Sequence, residues 1–170
     1  MRKVASRAEV GLGTIFNHFP DKGALLIAAL LEDLAQTDQQ ILESLPTEAP
    51  IKEQIMHIAA AGFSYWCARP ELSATLLREM YFITGPWAEN RREETDRFIE
   101  FVYQMLEGFR KRGEIRDGFD LRVTAEALYT YYVGSLVRAA GDNRFDVDSL
   151  LDSFETFLDQ LLSGIGSDAD

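Results

Sequence analysis

Thr14, Asn17 and His18 are three small or planar hydrogen-bonding side chains spaced so that one face of a single helical segment carries them. On a helical wheel starting at Leu12, the residues Leu12, Ile15, Phe16 and Phe19 fall on one side, and Gly13, Thr14, Asn17 and His18 on the other. The chemistry this suits is recognition. A threonine can bond a phosphate or touch a thymine methyl, and an asparagine can make a bidentate contact to adenine. His18 suits a phosphate better than a base edge. Gly13 costs a helix roughly 1 kcal/mol relative to alanine, which makes sense where another backbone must come close, such as a phosphate at the helix start.

The other reactive side chains are poorly arranged for catalysis. His57 has no metal-ligand type of partner nearby in sequence, so it reads as a surface or packing histidine. Cys67 is the single cysteine and reads as a small buried hydrophobe in a reducing compartment. Glu89, Glu93, Glu94 and Asp96 alternate with Arg91, Arg92 and Arg97 as a solvated, salt-bridged helix face does. There is no nucleophile elbow, no phosphate-cradling glycine loop and no metal-spaced cluster. An enzyme is not expected, nor a cofactor or metal.

The elements that must position these residues read as all-α. Apolar residues recur at helical spacing through almost all 170 residues, and alternating β-branched runs are nearly absent. Short helices are expected over Arg2 to Ala8 and Leu12 to Phe19, with a turn containing Gly11 between them. Asp21 then caps a long helix from Lys22 to about Ser44. Pro46 and Pro50 bracket a loop, a helix starting at Ile51 ends before Pro70, and another covers Glu71 to Phe82. Phe98, Phe101, Val102, Met105, Leu106 and Phe109 form the stripe of the next helix. Gly113, Asp117 and Gly118 turn the chain into Leu121 to Ala140, and a last helix follows Asp146. The domain division expected is 1–44 for a helix-turn-helix segment with its connecting helix, and 45–170 for a larger helical domain.

Val4 to Leu26, and above all Gly13-Thr14-Ile15-Phe16-Asn17-His18-Phe19-Pro20-Asp21-Lys22 with Ala24-Leu25-Leu26, resembles the DNA-binding segment of TetR/AcrR-family transcriptional repressors. The rest of the chain matches that family only in layout: a run of helices, the loop Arg112-Gly113-Glu114-Ile115, and two long closing helices. The resemblance implies an N-terminal segment on double-stranded operator DNA and a helical domain that binds a small-molecule effector and forms a homodimer. Carried over position by position, it places Leu12, Gly13, Thr14, Phe16, Asn17 and His18 at the DNA surface, Lys22 on a phosphate, and Arg2 and Lys3 near the flanking backbone. Phe16 stands where the family usually has a tyrosine, so a phosphate-bonding hydroxyl is missing. Relative to the family the sequence starts inside the second helix. The first helix is therefore expected upstream of Met1, itself expected to be an internal codon, and Val4, Ile15, Phe16 and Phe19 are expected to be short of cover. The alternative is a ligand-binding helical dimer that has lost DNA binding.

In the larger domain, tyrosines and methionines among the core aromatics suit an adaptable apolar pocket with a few polar handles. Met80, Phe101, Met105, Tyr129 and Tyr132 are its first candidates, followed by Phe63 and Trp66. No positive side chain is clearly aimed into that set, so an apolar or aromatic effector is expected. The closing helices carry more apolar positions than one core needs. Leu128, Leu136 and Val137 on one, with Leu150, Phe154, Phe157, Leu158 and Leu161 on the other, are the expected dimer interface, forming a four-helix bundle across a two-fold axis.

Charge first argues against nucleic acid: 17 Lys+Arg against 28 Asp+Glu give −11. The charge is unevenly spread, however. Met1 to Ala24 holds Arg2, Lys3, Arg7 and Lys22 against Glu9 and Asp21, a net of +2, which leaves −13 on the remainder. The longest apolar run, Ala24 to Leu31, is far short of the roughly 20 residues that cross a bilayer, and the chain reads as a cytoplasmic protein with no membrane partner.

Overall fold

The computed structural model describes residues 1–82 and 86–165, and within them the chain is all-helical. Eight helices follow in order: α1 Arg2–Arg7, α2 Leu12–His18, α3 Lys22–Ser44, α4 Ile51–Cys67, α5 Pro70–Phe82, α6 Pro86–Lys111, α7 Leu121–Gly141 and α8 Val147–Ile165.

Their ends follow from side chains that satisfy the free amides of a first turn. Asp21 Oδ1 accepts from the Ala24 amide at 2.8 Å, starting α3 where the sequence places it. Asp120 accepts from the amides of Arg122 and Val123 at 2.9 and 3.2 Å, and Asp146 from Ser149 at 2.7 Å. Pro70 is the first residue of α5, one position ahead of expectation, because proline's fixed φ and missing N–H suit that position. The turn between α6 and α7 needs glycine twice, at Gly113 (φ 81°) and Gly118 (φ 94°). Glu114 of the same turn accepts from the Ile51 amide at 3.4 Å, tying the turn to the start of α4.

The body is held by α4 against α8, α6 against α7, and α5 against α7, with α3 laid across α4, α5 and α6. Phe63, Leu106, Phe109, Ala125 and Leu158 form its centre and are at most 1% exposed. Gln54 is buried on the otherwise apolar inner face of α4, and its amide donates to the carbonyls of Thr47 and Ala49, both at 2.8 Å, closing the α3–α4 loop. Ser73 on α5 donates to the Trp66 carbonyl at 2.6 Å, which fixes the α4–α5 corner.

Two polar contacts set α3 antiparallel to α4: Tyr65 donates to Asp33 at 2.8 Å, and Ser44 meets His57 at 3.0 Å. Asp38 therefore stands near the level of Gly62. Thr95 and Tyr129 meet at 3.2 Å, and Glu100 pairs with Arg122, which sets α6 antiparallel to α7. That brings Arg91 and Glu94 near the level of Tyr132. Lys52 bridges Glu155 and Asp159 of α8 at 2.8 and 2.7 Å, fastening the outer edge of α4.

The expected dimer interface needs correction. Leu128, Leu136, Leu150, Phe154 and Leu158 are each less than a tenth exposed within this one chain, so they have almost no surface to offer a second copy. Phe157 and Leu161 are half-buried against the same core, and Val137 is exposed. The competing explanation, burial of α8 in its own monomer, accounts for most of these positions. The outward face of α7 instead shows Val123, Thr130, Gly134 and Val137, at helical spacing.

Candidate functional site

The N-terminal segment presents its polar residues as the wheel predicts. Gly13, Thr14, Asn17 and His18 are exposed on α2, Arg2 and Lys3 are exposed on α1, and Lys22 is exposed at the first position of α3. Leu12 is half-buried. Phe16, on the apolar side of the wheel, nonetheless faces outward and is 46% exposed. Of the residues expected to be short of cover, Val4 and Phe16 are exposed, Phe19 is partly so, and Ile15 is buried. Gly13 has open space around it, so its missing side chain leaves a notch in the surface of α2.

The body encloses an apolar cavity of about 140 Å³. Its walls are Leu31, Leu34, Asp38 and Ile41 of α3, Ile55, Ile58, Ala59, Gly62 and Trp66 of α4, and Leu77 and Met80 of α5. The opposite side is Arg91, Glu94, Thr95, Phe98, Val102 and Met105 of α6, Leu128, Tyr129, Tyr132, Val133 and Leu136 of α7, and Phe154 of α8.

Five of the seven expected pocket residues line this space: Trp66, Met80, Met105, Tyr129 and Tyr132. Phe63 does not; it is fully buried behind the wall, with its ring 4.8 Å from that of Tyr132. Phe101 is half-buried and outside the lining, where Phe98 takes its place. The cavity face of α6 runs through Glu94, Thr95, Phe98, Val102 and Met105, and Phe101 sits about 100° around the helix from Val102. Leu128, Leu136 and Phe154, expected at a dimer interface, are cavity wall.

Sequence reasoning missed the whole α3 wall, because it assigned that helix to the DNA-binding segment. The signal was present: Leu31, Leu34, Asp38 and Ile41 share one face, and a carboxylate interrupts an apolar stripe there. It also missed Arg91, a positive side chain in the lining where none was expected.

The polar groups sit on two facing helices. Burial, with a smaller contribution from the nearby Glu94, raises Asp38 from 3.8 to about 6. Glu94 pairs with Arg97 one turn along. Burial pushes the Tyr132 phenol far above the ordinary range, with the neighbouring Trp66 indole opposing it, so the phenol stays neutral. Thr95 and Tyr129 satisfy each other across α6 and α7. Among the described residues no cluster of His, Cys, Asp and Glu could hold a metal ion, and no helix is long and apolar enough to cross a membrane.

One long helix joins an exposed helix-turn-helix to a helical body with an apolar cavity. Residues 1–29 match the family of bacterial regulatory proteins known as the tetR family. The chain is 23% identical over 164 residues to the fatty acid metabolism regulator protein of Bacillus subtilis (strain 168), covering 96% of this chain and 83% of that protein. Its fold is that of the FadR regulator from Bacillus subtilis in complex with stearoyl-CoA, with a TM-score of 0.78 at 22% identity, covering 96% of this chain and 87% of the other. It is likewise that of FadR from Thermus thermophilus, a repressor in complex with lauroyl-CoA, with a TM-score of 0.76 at 22% identity, covering 98% and 84%. Residues 1–29 thus carry a tetR-family DNA-binding segment, and the described chain has the fold of these regulators.

Proposed function

We propose that this chain is a homodimeric repressor whose operator DNA is released by an effector carrying an unbranched acyl chain, with a fatty acyl thioester as the class. The observation that carries this is the cavity: aliphatic and aromatic along most of its lining, with Asp38, Arg91, Glu94 and Thr95 gathered at one level between α3 and α6. Such a site houses a hydrocarbon tail and hydrogen-bonds a polar head. The acyl-CoA ligands of the two FadR structures support the same class.

The size of the cavity supplies a mechanism. At about 140 Å³ it is close to a cavity of roughly 150 Å³ that holds benzene, and a long acyl chain is several times larger. Seating such a chain must part α3 from α6 and α7. Because α3 begins at Lys22, directly after α2, any displacement of α3 moves the DNA-reading segment. Effector then favours a dimer whose recognition helices no longer match half-sites roughly 34 Å apart. In this reading residues 1–44 form the DNA-binding unit and residues 45–170 the effector and dimer unit, although α3 serves both. The second copy packs on the outward face of α7.

A gel-shift assay with the intergenic DNA upstream of its gene tests the reading. The expected result is a retarded complex that dissolves on adding lauroyl- or stearoyl-CoA. A complex insensitive to every acyl-CoA would overturn the effector class. Tight acyl-CoA binding without any DNA complex would instead support a ligand-binding dimer.

A further inference from the structure

Gly62 is a glycine in mid-helix, where the residue costs roughly 1 kcal/mol relative to alanine. Its φ is ordinary, so the helix does not require it. What requires it is Tyr132. A Cβ built on Gly62 would stand 2.5 Å from the Tyr132 hydroxyl oxygen, closer than real Cβ atoms come, and 3.0 Å from its ring carbon Cζ, so the phenol would have to shift. The hydroxyl end of the α7 phenol therefore rests against the bare backbone of α4. Its neighbours hold it there: the Trp66 indole lies beside its hydroxyl, and the Phe63 ring packs 4.8 Å away, tilted by 32°.

Helix alignment places this contact near the level of the polar residues Asp38 and Glu94, which flank it on the neighbouring helices α3 and α6. Apolar space extends from that level toward Leu31, Leu77 and Met80 in one direction and toward Ile41, Ile55 and Met105 in the other. The phenol thus stands between two apolar arms of the cavity, and a hydrocarbon chain lying along either arm ends against the ring.

We propose that Tyr132, seated on Gly62, is the stop that sets how long an unbranched apolar chain the cavity accepts. The inference rests on the cavity being the effector site. Each methylene housed contributes about 0.8 kcal/mol, a Kd about fourfold tighter per carbon, and the gain ends where the chain meets the ring.

The test measures Kd for acyl-CoAs from hexanoyl to stearoyl and, by thermal shift, for n-alkanols from butanol to dodecanol. For the wild type, affinity rises with each carbon and then levels. Tyr132→Ala moves the levelling point to longer chains. Gly62→Ala, which drives the ring off its seat into the cavity, moves it to shorter ones. Tyr132→Phe leaves it in place, separating the ring's volume from the hydroxyl's polarity, and Gly62→Ala combined with Tyr132→Ala behaves as Tyr132→Ala alone. Should Tyr132→Ala not fold, Tyr132→Leu together with Gly62→Ala carries the same comparison. A levelling point unmoved in these variants overturns the inference while leaving the effector site intact. Alkanols that show the shift when no thioester binds would leave the stop standing and remove the thioester. No rise with chain length in either series would overturn both.

Discussion

Asp38 stands on the cavity face of α3, one turn from Leu34 on one side and from Ile41 on the other, and a carboxyl there is held at about 6 chiefly by burial. Because its folded value lies above its unfolded 3.8, the native chain keeps a proton that the unfolded chain has lost, between about pH 4 and 6. Stability from this group is therefore fully present below pH 4 and is lost as the pH rises through 6. Two units would be about 3 kcal/mol, and partial exposure makes the actual cost smaller. Asp38→Asn should raise stability at pH 7 by about 1–2 kcal/mol and flatten this part of the profile. Urea melts of both proteins across the range would show it, and an unchanged slope would remove Asp38 as the source. The residue was legible in the sequence as a carboxylate breaking an apolar stripe. Its partner Glu94 was not, since a charge on a mixed helix reads as solvated until the facing helix is known.

Between elements, α5 joins the two functional regions. Leu77 and Met80 are cavity wall, whereas Glu79 between them reaches the start of α3: a Cβ on Gly23 would stand 3.1 Å from its Oε2 and 3.2 Å from the capping oxygen of Asp21. A carboxylate beside the first turn of a helix is favourable by about 0.3–1 kcal/mol. On the proposed function, an effector pressing on Met80 would reach the turn that carries Lys22. Glu79→Ala should leave effector affinity unchanged while raising several-fold the effector concentration that releases DNA. Calorimetry for binding alongside a gel shift for release separates the two, and parallel changes in both would refute the coupling. The helices themselves were readable because Asp21, Pro50, Asp120 and Asp146 mark their starts by local chemistry. Which face of each helix turns inward is decided by neighbours distant in sequence. That is why the stripe on α6 points to Phe101 where Phe98 lines the cavity, and why α3 reads as a connecting helix and not as cavity wall.

Across the whole molecule, charge and symmetry point the same way. The +2 of the first 24 residues and the −13 of the rest orient the chain, because DNA attracts the helix-turn-helix and repels the body. One copy offers few cations to phosphate, so tight binding needs two. The closing helices are apolar on more than one side, and a single sequence does not say which side is core. The fold spends Leu128, Leu136, Phe154 and Leu158 on its own interior. Among what α7 leaves outside are Val123, Thr130, Gly134 and Val137, at helical spacing with Glu126 between them, Val123 58% and Val137 44% exposed and Gly134 facing open space. Small residues let two helices approach closely, so this stripe, continued onto the half-buried Leu161 of α8, is where a second copy should sit. Val137→Glu would bury an unpaired carboxylate in that contact and should weaken the dimer by about 2 kcal/mol or more. Sedimentation equilibrium should then show a monomer, and operator affinity should fall with it. Effector binding should survive, because Val137 points away from the cavity that its neighbour Leu136 lines. A variant that remains a dimer would move the interface off α7.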